Sequence, residues 1–199
     1  MTEPFRRTRR DLLRTLTVGG GAIAVATLLE GCGLGSTTRT VTPTPPGRGA
    51  LIMIIRHGEK PPASGLPQGV DADGNPDVHS LTARGWTRAG ALFELFAPAN
   101  GLPRPGLARP TAIYAAGGTA GEGLRTRQTV TPLAARLDIP INTRFSKGDE
   151  TALAQEVAGR TEPTLICWQH GELPAIATAP QNITPVPPTA WPDDRYDLV

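Results

Sequence analysis

The stretch LIMIIRHGEKPP, residues 51–62, decides the fold, because an apolar run ends there abruptly in Arg56, His57 and Gly58. A run of Leu, Ile and Met without a polar face predicts a central strand that is covered on both sides, as in a parallel sheet. In open α/β sheets, ligands bind at the carboxyl ends of the strands. Gly58 allows a sharp turn there and lets an anion approach the backbone amides. The stretch therefore predicts a strand that leads directly into a ligand site.

The chain beyond this stretch alternates between helical and strand patterns. A helix capped by Ser80 or Thr82 is expected first, with its apolar residues at helical spacing. In order, the patterns predict a helix at 80–96, a strand at 111–116, a helix at 124–139, a short strand at 141–145, a helix at 150–159 and a strand at 164–168. Such alternation predicts an α/β fold with a parallel sheet.

Polar residues follow three of these strands. His57-Gly58 ends the first strand and His170-Gly171 ends the last, while the strand at 111–116 leads through glycines to Arg125. Because the carboxyl ends of parallel strands face the same edge of a sheet, these side chains are expected to converge.

Four ordered motifs carry a resemblance to a known family. They are RHGE at 56–59, SLTARGWTRA at 80–89, LRTRQT at 124–129 and WQHGELPAIA at 168–177. Together they resemble the histidine phosphatase superfamily, and the likeness extends over residues 50–199. The resemblance implies a phosphoglycerate mutase-like fold, which is a three-layer α/β/α sandwich with a mostly parallel central sheet.

The same resemblance implies a catalytic site. His57 would be the nucleophile that accepts a phosphoryl group, with Arg56, Arg125 and His170 around the phosphate. Arg125 matches the family arginine because it precedes Gln128-Thr129 by the usual spacing. Arg127 is therefore expected to be a solvated helix residue. No metal or other cofactor is expected, because arginine and histidine supply the positive charge that Mg²⁺ supplies in many other phosphoryl-transfer sites.

The general acid stays open at this point. Glu172 lies two residues beyond His170 at the mouth of the inferred site and is slightly favoured. Glu150 and Asp149 are alternatives, although acidic residues in the first turn of a helix also stabilise the helix dipole. Glu59 is expected to be structural.

The resemblance therefore implies a phosphohydrolase that removes a phosphoryl group from a small phosphomonoester through a phosphohistidine. Two alternatives remain, a non-catalytic cell-surface module that binds a phosphorylated ligand and a phosphoglycerate-type mutase. The irregular loops at 60–79 and 99–110 are expected to set specificity. Within the first, DADGNPD at 71–77 alternates oxygen-bearing side chains as calcium loops do, but Gly74 is misplaced, so a turn-rich loop is expected.

Residues 1–31 predict an export signal, and residues 32–49 a flexible tether that is rich in Gly, Ser, Thr and Pro. Residues 8–14, TRRDLLR, resemble the twin-arginine motif that the export machinery reads. Residues 29–32, LEGC, resemble a lipobox, which would make Cys32 a lipidated N-terminus. The protein is therefore expected to be exported and anchored to the extracytoplasmic face of the cell membrane. A histidine phosphatase domain is expected at 50–199.

Charge and cysteine content exclude other classes. The net charge of +2 comes entirely from residues 1–31, with five arginines and three acidic residues, so the rest of the chain is neutral. A neutral domain gives no electrostatic reason to expect nucleic acid as a partner. Only Cys167 remains beyond the tether, which excludes an intramolecular disulfide and a cysteine-based zinc cage there. WPDDRYDLV at 191–199 predicts the beginning of an apolar strand.

Overall fold

A computed structural model describes residues 51–119, 121–180 and 186–196, all within one compact unit. In chain order the elements are β1 (Ile52–Arg56), α1 (Ala83–Phe96), β2 (Ala112–Ala115), α2 (Leu124–Leu137), β3 (Ile141–Asn142), α3 (Glu150–Ala158), β4 (Thr164–Trp168) and α4 (Leu173–Thr178). No helix in these ranges is long and apolar enough to cross a bilayer. The predicted export signal and tether lie outside the described residues.

The four strands form one parallel sheet in the order β1-β4-β2-β3. Strand β4 lies between β1 and β2, with Ile166 opposite Ile54 on one side and Tyr114 on the other. All five residues of β4 are buried. A strand covered on both faces needs apolar side chains in both directions, which is why its sequence is a continuous apolar run.

Helices cover both faces of this sheet. Successive strand residues point to opposite sides, so both faces carry apolar side chains that must be buried. Met53 and Ile55 pack on one face with Leu92 of α1 and Leu133 of α2. On the other face, Ile54, Ile166 and Trp168 pack with residues of α3 and α4, including Leu153 and Ile176. The expected α/β sandwich with a parallel central sheet is therefore confirmed.

Three elements differ most from the sequence prediction. Helix α1 begins at Ala83 because the Thr82 hydroxyl accepts a hydrogen bond of 3.2 Å from the Gly85 amide and caps the helix. Strand β3 has two residues rather than five. Helix α4 was not predicted, since its six residues are too few to show a helical period, although Pro174 is compatible with a first turn.

The connections divide at the β1–β4 pair. The chain leaves β1 towards α1 on one face and leaves β4 towards α4 on the other. In α/β sheets, a crevice forms where connections from neighbouring strands diverge in this way. The two histidine-glycine pairs follow these two strands, so the topology places both at one crevice.

Candidate active site

The end of β1 is tied to the end of β4. The amide of His57 donates to the carbonyl of Trp168 at 3.1 Å, which extends the parallel pairing one residue beyond Arg56. Both Arg56 and His57 are buried, at 3% and 4% exposure. This edge of the sheet therefore carries a cation and an imidazole beneath the surface.

The ring of His57 is oriented by its own chain. Its Nδ1 lies 2.6 Å from the carbonyl oxygen of Gly58, a contact in which Nδ1 carries the proton and the carbonyl accepts it. In a neutral ring, that tautomer leaves Nε2 with a lone pair. Burial lowers the pKa of His57 to about 4, and the nearby charges of Arg56, Arg125 and His170 act in the same direction. The hydrogen bond to the Gly58 carbonyl opposes this shift. His57 is therefore a neutral nitrogen base at ordinary pH.

Two glycines allow β1 and α1 to approach closely at this point. A Cβ on Gly58 would lie 2.9 Å from the carbonyl oxygen of Gly85, and a Cβ on Gly85 would lie 2.7 Å from the carbonyl oxygen of Glu59. Both distances are shorter than a non-bonded contact between a carbon and an oxygen, so neither position has room for a side chain. The motifs RHGE and LTARG thus owe their glycines to one contact.

Thr129 connects the histidine loop to α2. Its hydroxyl oxygen accepts a hydrogen bond of 2.8 Å from the Gly58 amide and donates one of 2.7 Å to the Arg125 carbonyl. Gln128 holds the other side of the site, where its amide accepts from the Leu81 amide at 2.9 Å and donates to the Ser80 hydroxyl at 2.7 Å. The Gln-Thr pair therefore fixes the start of α2 against the loops around His57.

Arg125 is half-buried beside the loop that precedes α1. Its Nη2 donates to the carbonyl of Val78 at 2.8 Å, and its Nε lies 3.4 Å from the carbonyl of Ser80. Burial lowers the pKa of Arg125, while the charge of Asp77 opposes that shift. Arg125 also borders a cavity of about 420 Å³ lined by residues of the segments 61–69 and 76–78. These segments belong to the loop at 60–79 that was expected to set specificity.

Arg127 differs from its expected place on a solvated helix surface. It is partly buried, and its Nη1 donates at 3.0 Å to the carbonyls of both Ala116 and Glu122. Both carbonyls lie in the connection after β2, outside the regular hydrogen bonding of the strand. Arg127 therefore stabilises that loop.

His170 follows β4 and is partly exposed. Its Nε2 lies 2.9 Å from Oδ1 of Asp193. Burial lowers the pKa of His170, and the charges of Arg56 and Lys60 lower it as well. The carboxylates of Asp193 and Glu172 act in the opposite direction. His170 thus belongs to the same charged group as Arg56, as the strand ends predicted.

The guanidinium of Arg56 is almost fully enclosed, with 1% of its side chain exposed. Its Nη1 donates to the backbone oxygen of Asp193, its Nη2 lies 3.6 Å from the Asp193 carboxylate, and the ring of Tyr196 stacks 4.3 Å from its central carbon. Its Nε is buried and has no hydrogen-bond partner within the described part of the chain. A buried guanidinium N–H without a partner calls for an explanation, and a ligand or water that binds there is one of those that apply.

The segment 191–196 was missed as part of the site. The sequence predicted only the beginning of a strand there, whereas the described residues form a turn anchored by buried Trp191. Residues 197–199, where the apolar pattern would continue, lie outside the description. The one signal was the unusual composition of WPDDRY, in which two aromatic residues enclose a proline and three charged residues.

The three acidic residues considered as a general acid have other partners. Glu172 precedes α4 and pairs with Lys147 at 2.8 Å. Glu150 is buried and accepts hydrogen bonds from the Trp168 indole at 2.9 Å and from the Gly148 amide at 3.1 Å. Asp149 accepts from the Ser146 amide at 2.9 Å. Neither Glu150 nor Asp149 contacts His57 or His170 among the hydrogen bonds and ion pairs of the described residues.

Two other expectations concern carboxylates. Glu59 pairs with Arg88 at 2.6 Å, and its backbone oxygen accepts from the Thr82 amide, so it joins the histidine loop to α1. The loop at 71–77 is held by Asp71, which accepts from the amides of Asp73 and Asn75 and closes a turn. Within the described ranges, no three His, Cys, Asp or Glu side chains are grouped so that they could hold a metal ion.

No model of a known protein family matches this chain, and no curated protein matches it either. Any assignment of function therefore depends on the chemistry of the site. Its parts are one neutral buried histidine with a free ring nitrogen and three surrounding groups able to carry positive charge, Arg56, Arg125 and His170.

Proposed function

We propose that this protein is a metal-independent phosphohydrolase that removes a phosphoryl group from a phosphomonoester through a phosphohistidine at His57. One observation carries the proposal. The Nδ1–H of His57 is held by the Gly58 carbonyl, and its neutral ring lies within the fields of Arg56, Arg125 and His170. A neutral nitrogen nucleophile beside two guanidinium groups and a second imidazole is suited to attack on an anionic phosphorus.

The first step forms a bond between Nε2 of His57 and phosphorus while the bond to the ester oxygen breaks. The Gly58 carbonyl stabilises the positive charge that develops on the ring, because Nδ1 remains protonated. Arginine forks match the phosphate oxygens and stabilise their charge in the transition state. Water then attacks phosphorus, the bond to Nε2 breaks, and the neutral histidine is restored.

The substrate would extend into the cavity beside Arg125. That cavity, of about 420 Å³, is formed largely by a proline- and glycine-rich loop and includes Gln68 and Asp77 as polar side chains. Its volume suits a small organic group. A small phosphomonoester is therefore the proposed substrate class.

Hydrolysis of p-nitrophenyl phosphate by the full-length chain, purified in detergent, tests this proposal. His57→Ala should reduce turnover by about 10⁴-fold or more, because both chemical steps need that nitrogen. His79→Ala is the matched control, since the exposed side chain of His79 belongs to the loop at 60–79 but does not line the cavity. A binding module would bind inorganic phosphate without turnover in the wild type, and unchanged turnover in His57→Ala would refute the nucleophile.

A further inference from the structure

The segment from Trp191 to Tyr196 forms a tight turn over the carboxyl ends of β1 and β4. Trp191 is 7% exposed and belongs to the core on the α3–α4 face. Its indole donates to the Arg195 carbonyl at 3.0 Å, and the Arg195 amide donates to the Pro192 carbonyl at 3.1 Å. The turn is therefore anchored in the core and closed by its own hydrogen bonds, which fixes the direction of the residues at its tip.

Asp193 lies at that tip and contacts two of the proposed phosphate-binding groups. Its Oδ1 is 2.9 Å from Nε2 of His170 and 3.6 Å from Nη2 of Arg56. Its backbone oxygen accepts from Nη1 of Arg56. Even so, 75% of its side chain remains exposed, so the carboxylate faces open space and a ligand can reach it.

The adjacent residue provides a contrast. Asp194 is exposed and takes part in none of the hydrogen bonds or ion pairs found within the described ranges. The two aspartates share a turn and a charge, but only the first is directed at the histidine. Position, rather than charge alone, therefore distinguishes Asp193.

We propose that Asp193 is the catalytic proton donor and acceptor of this site. The inference rests on the proposed function and assigns the role that the motifs left open. Glu150 is held by Trp168 and Gly148, and Glu172 by Lys147, whereas Asp193 contacts His170.

The two steps balance around this carboxyl group. In the first, Nε2 of His57 bonds to phosphorus, the ester bond breaks, and protonated Asp193 gives its proton to the departing alkoxide. In the second, a water oxygen bonds to phosphorus, ionised Asp193 accepts the water proton, and the bond to Nε2 breaks. After the second step Asp193 is again protonated and His57 is again neutral, as both were in the substrate complex when the first step began.

Binding of substrate would prepare Asp193 for the first step. A phosphate that binds as the monoanion brings one proton, which passes to the Asp193 carboxylate when the phosphate oxygens replace that carboxylate at Arg56 and His170. The contacts seen without substrate would then be replaced by contacts to the phosphate. Asp193 would remain nearby because its turn is anchored at Trp191.

Asp193→Asn tests this assignment, with Asp194→Asn as the matched control. An alkoxide leaves poorly without a proton, whereas a nitrophenolate leaves readily, so kcat/KM should fall by about 100-fold for an alkyl phosphate and by only a few-fold for p-nitrophenyl phosphate. The second step also loses its base, so phosphohistidine should accumulate during turnover of the aryl substrate. Asp194→Asn should match the wild type, and Asp193→Glu should restore part of the alkyl activity.

Other patterns would overturn the inference. Equal losses on the two substrates would indicate a positioning role, and no loss would exclude Asp193 from proton transfer. A gain on both substrates would show that the carboxylate only blocks the phosphate site. In each of these cases an active wild type leaves the proposed function standing. A wild type inactive on both substrates would overturn both.

Discussion

The chemistry of His57 depends on a hydrogen bond to the next residue and on charges that are far away in the sequence but near the ring in the fold. The Gly58 carbonyl fixes which ring nitrogen carries the proton, and this contact arises from the turn that directly follows β1. Arg125 and His170, whose charges help to keep the ring neutral, come from α2 and the end of β4. The nucleophile therefore depends on the fold as well as on its motif.

This neutral state predicts how stability depends on pH. Between pH 6.5 and about 4, the unfolded chain binds a proton at His57 and the folded chain does not, so the free energy of unfolding should fall as the pH falls. The loss from this residue should be about 3 kcal/mol across that window. Urea unfolding at pH 7 and pH 4 would measure it, and His57→Asn should lack this part of the loss. Equal losses in the two proteins would contradict the depressed pKa.

At the same scale, the sequence predicted the residues that follow strands better than those on the final turn. Arg56, His57 and His170 could be placed because apolar runs end at them. Arg127 could not, since its hydrogen bonds to the Ala116 and Glu122 carbonyls depend on how the connection after β2 folds. Asp193 could not either, because nothing in the local pattern indicates which distant cation an exposed aspartate meets.

At the scale of elements, the site depends on the close approach of the β1 loop and α1. Gly58 faces the backbone of Gly85, and Gly85 faces the backbone of Glu59, with no room for a side chain at either position. Gly90 lies on the same helix, but a Cβ there would meet nothing within 4 Å. The helix thus offers one glycine that is required by packing and one that is not.

Replacing each glycine by alanine should separate packing from helix propensity. Gly85→Ala should lower the free energy of unfolding by about 1–3 kcal/mol, because its methyl group must displace the Glu59 backbone. It should also reduce turnover, since the moved backbone is joined to His57. Gly90→Ala should raise the free energy of unfolding by about 0.5–1 kcal/mol through helix propensity alone. Thermal and denaturant unfolding would measure both, and the same sign for both variants would contradict the packing argument.

The same scale shows where pattern-based prediction of elements ends. Strands β1 and β4 were predictable because buried central strands are continuous apolar runs, and the start of α1 was narrowed to a cap at Ser80 or Thr82, of which the structure has Thr82. The two residues of β3 and the six of α4 were not delimited. Short elements are defined by tertiary contacts that the sequence does not display.

At the scale of the whole molecule, the parallel topology joins motifs that are more than 100 residues apart. Pairing of β1 with β4 brings His57 and His170 to one edge, although the chain forms two other strands between them. Alternation of helices and strands was enough to predict this sheet. It was not enough to predict the strand order, which depends on how the helices divide between the two faces.

We also propose that the chain is exported and anchored through Cys32, which lies outside the described residues. Changing Arg9 and Arg10 to Lys should leave most of the precursor in the cytoplasm, because the export receptor reads the arginine pair. Cys32→Ala should release most of the protein from membranes, because the lipid would no longer be attached. Fractionation and immunoblotting would measure both effects. Normal export of the double lysine variant would contradict the twin-arginine assignment.

The most direct test of the central claim is to trap the phosphoryl group on the full-length wild-type protein during turnover. The protein is quenched in base, digested, and its peptides are mapped by mass spectrometry, with His57→Ala as the control. We predict one acid-labile phosphoryl group, carried by His57 in the wild type and absent from the variant. Turnover without any phosphorylated peptide, or with the phosphoryl group on another residue, would contradict His57 as the nucleophile.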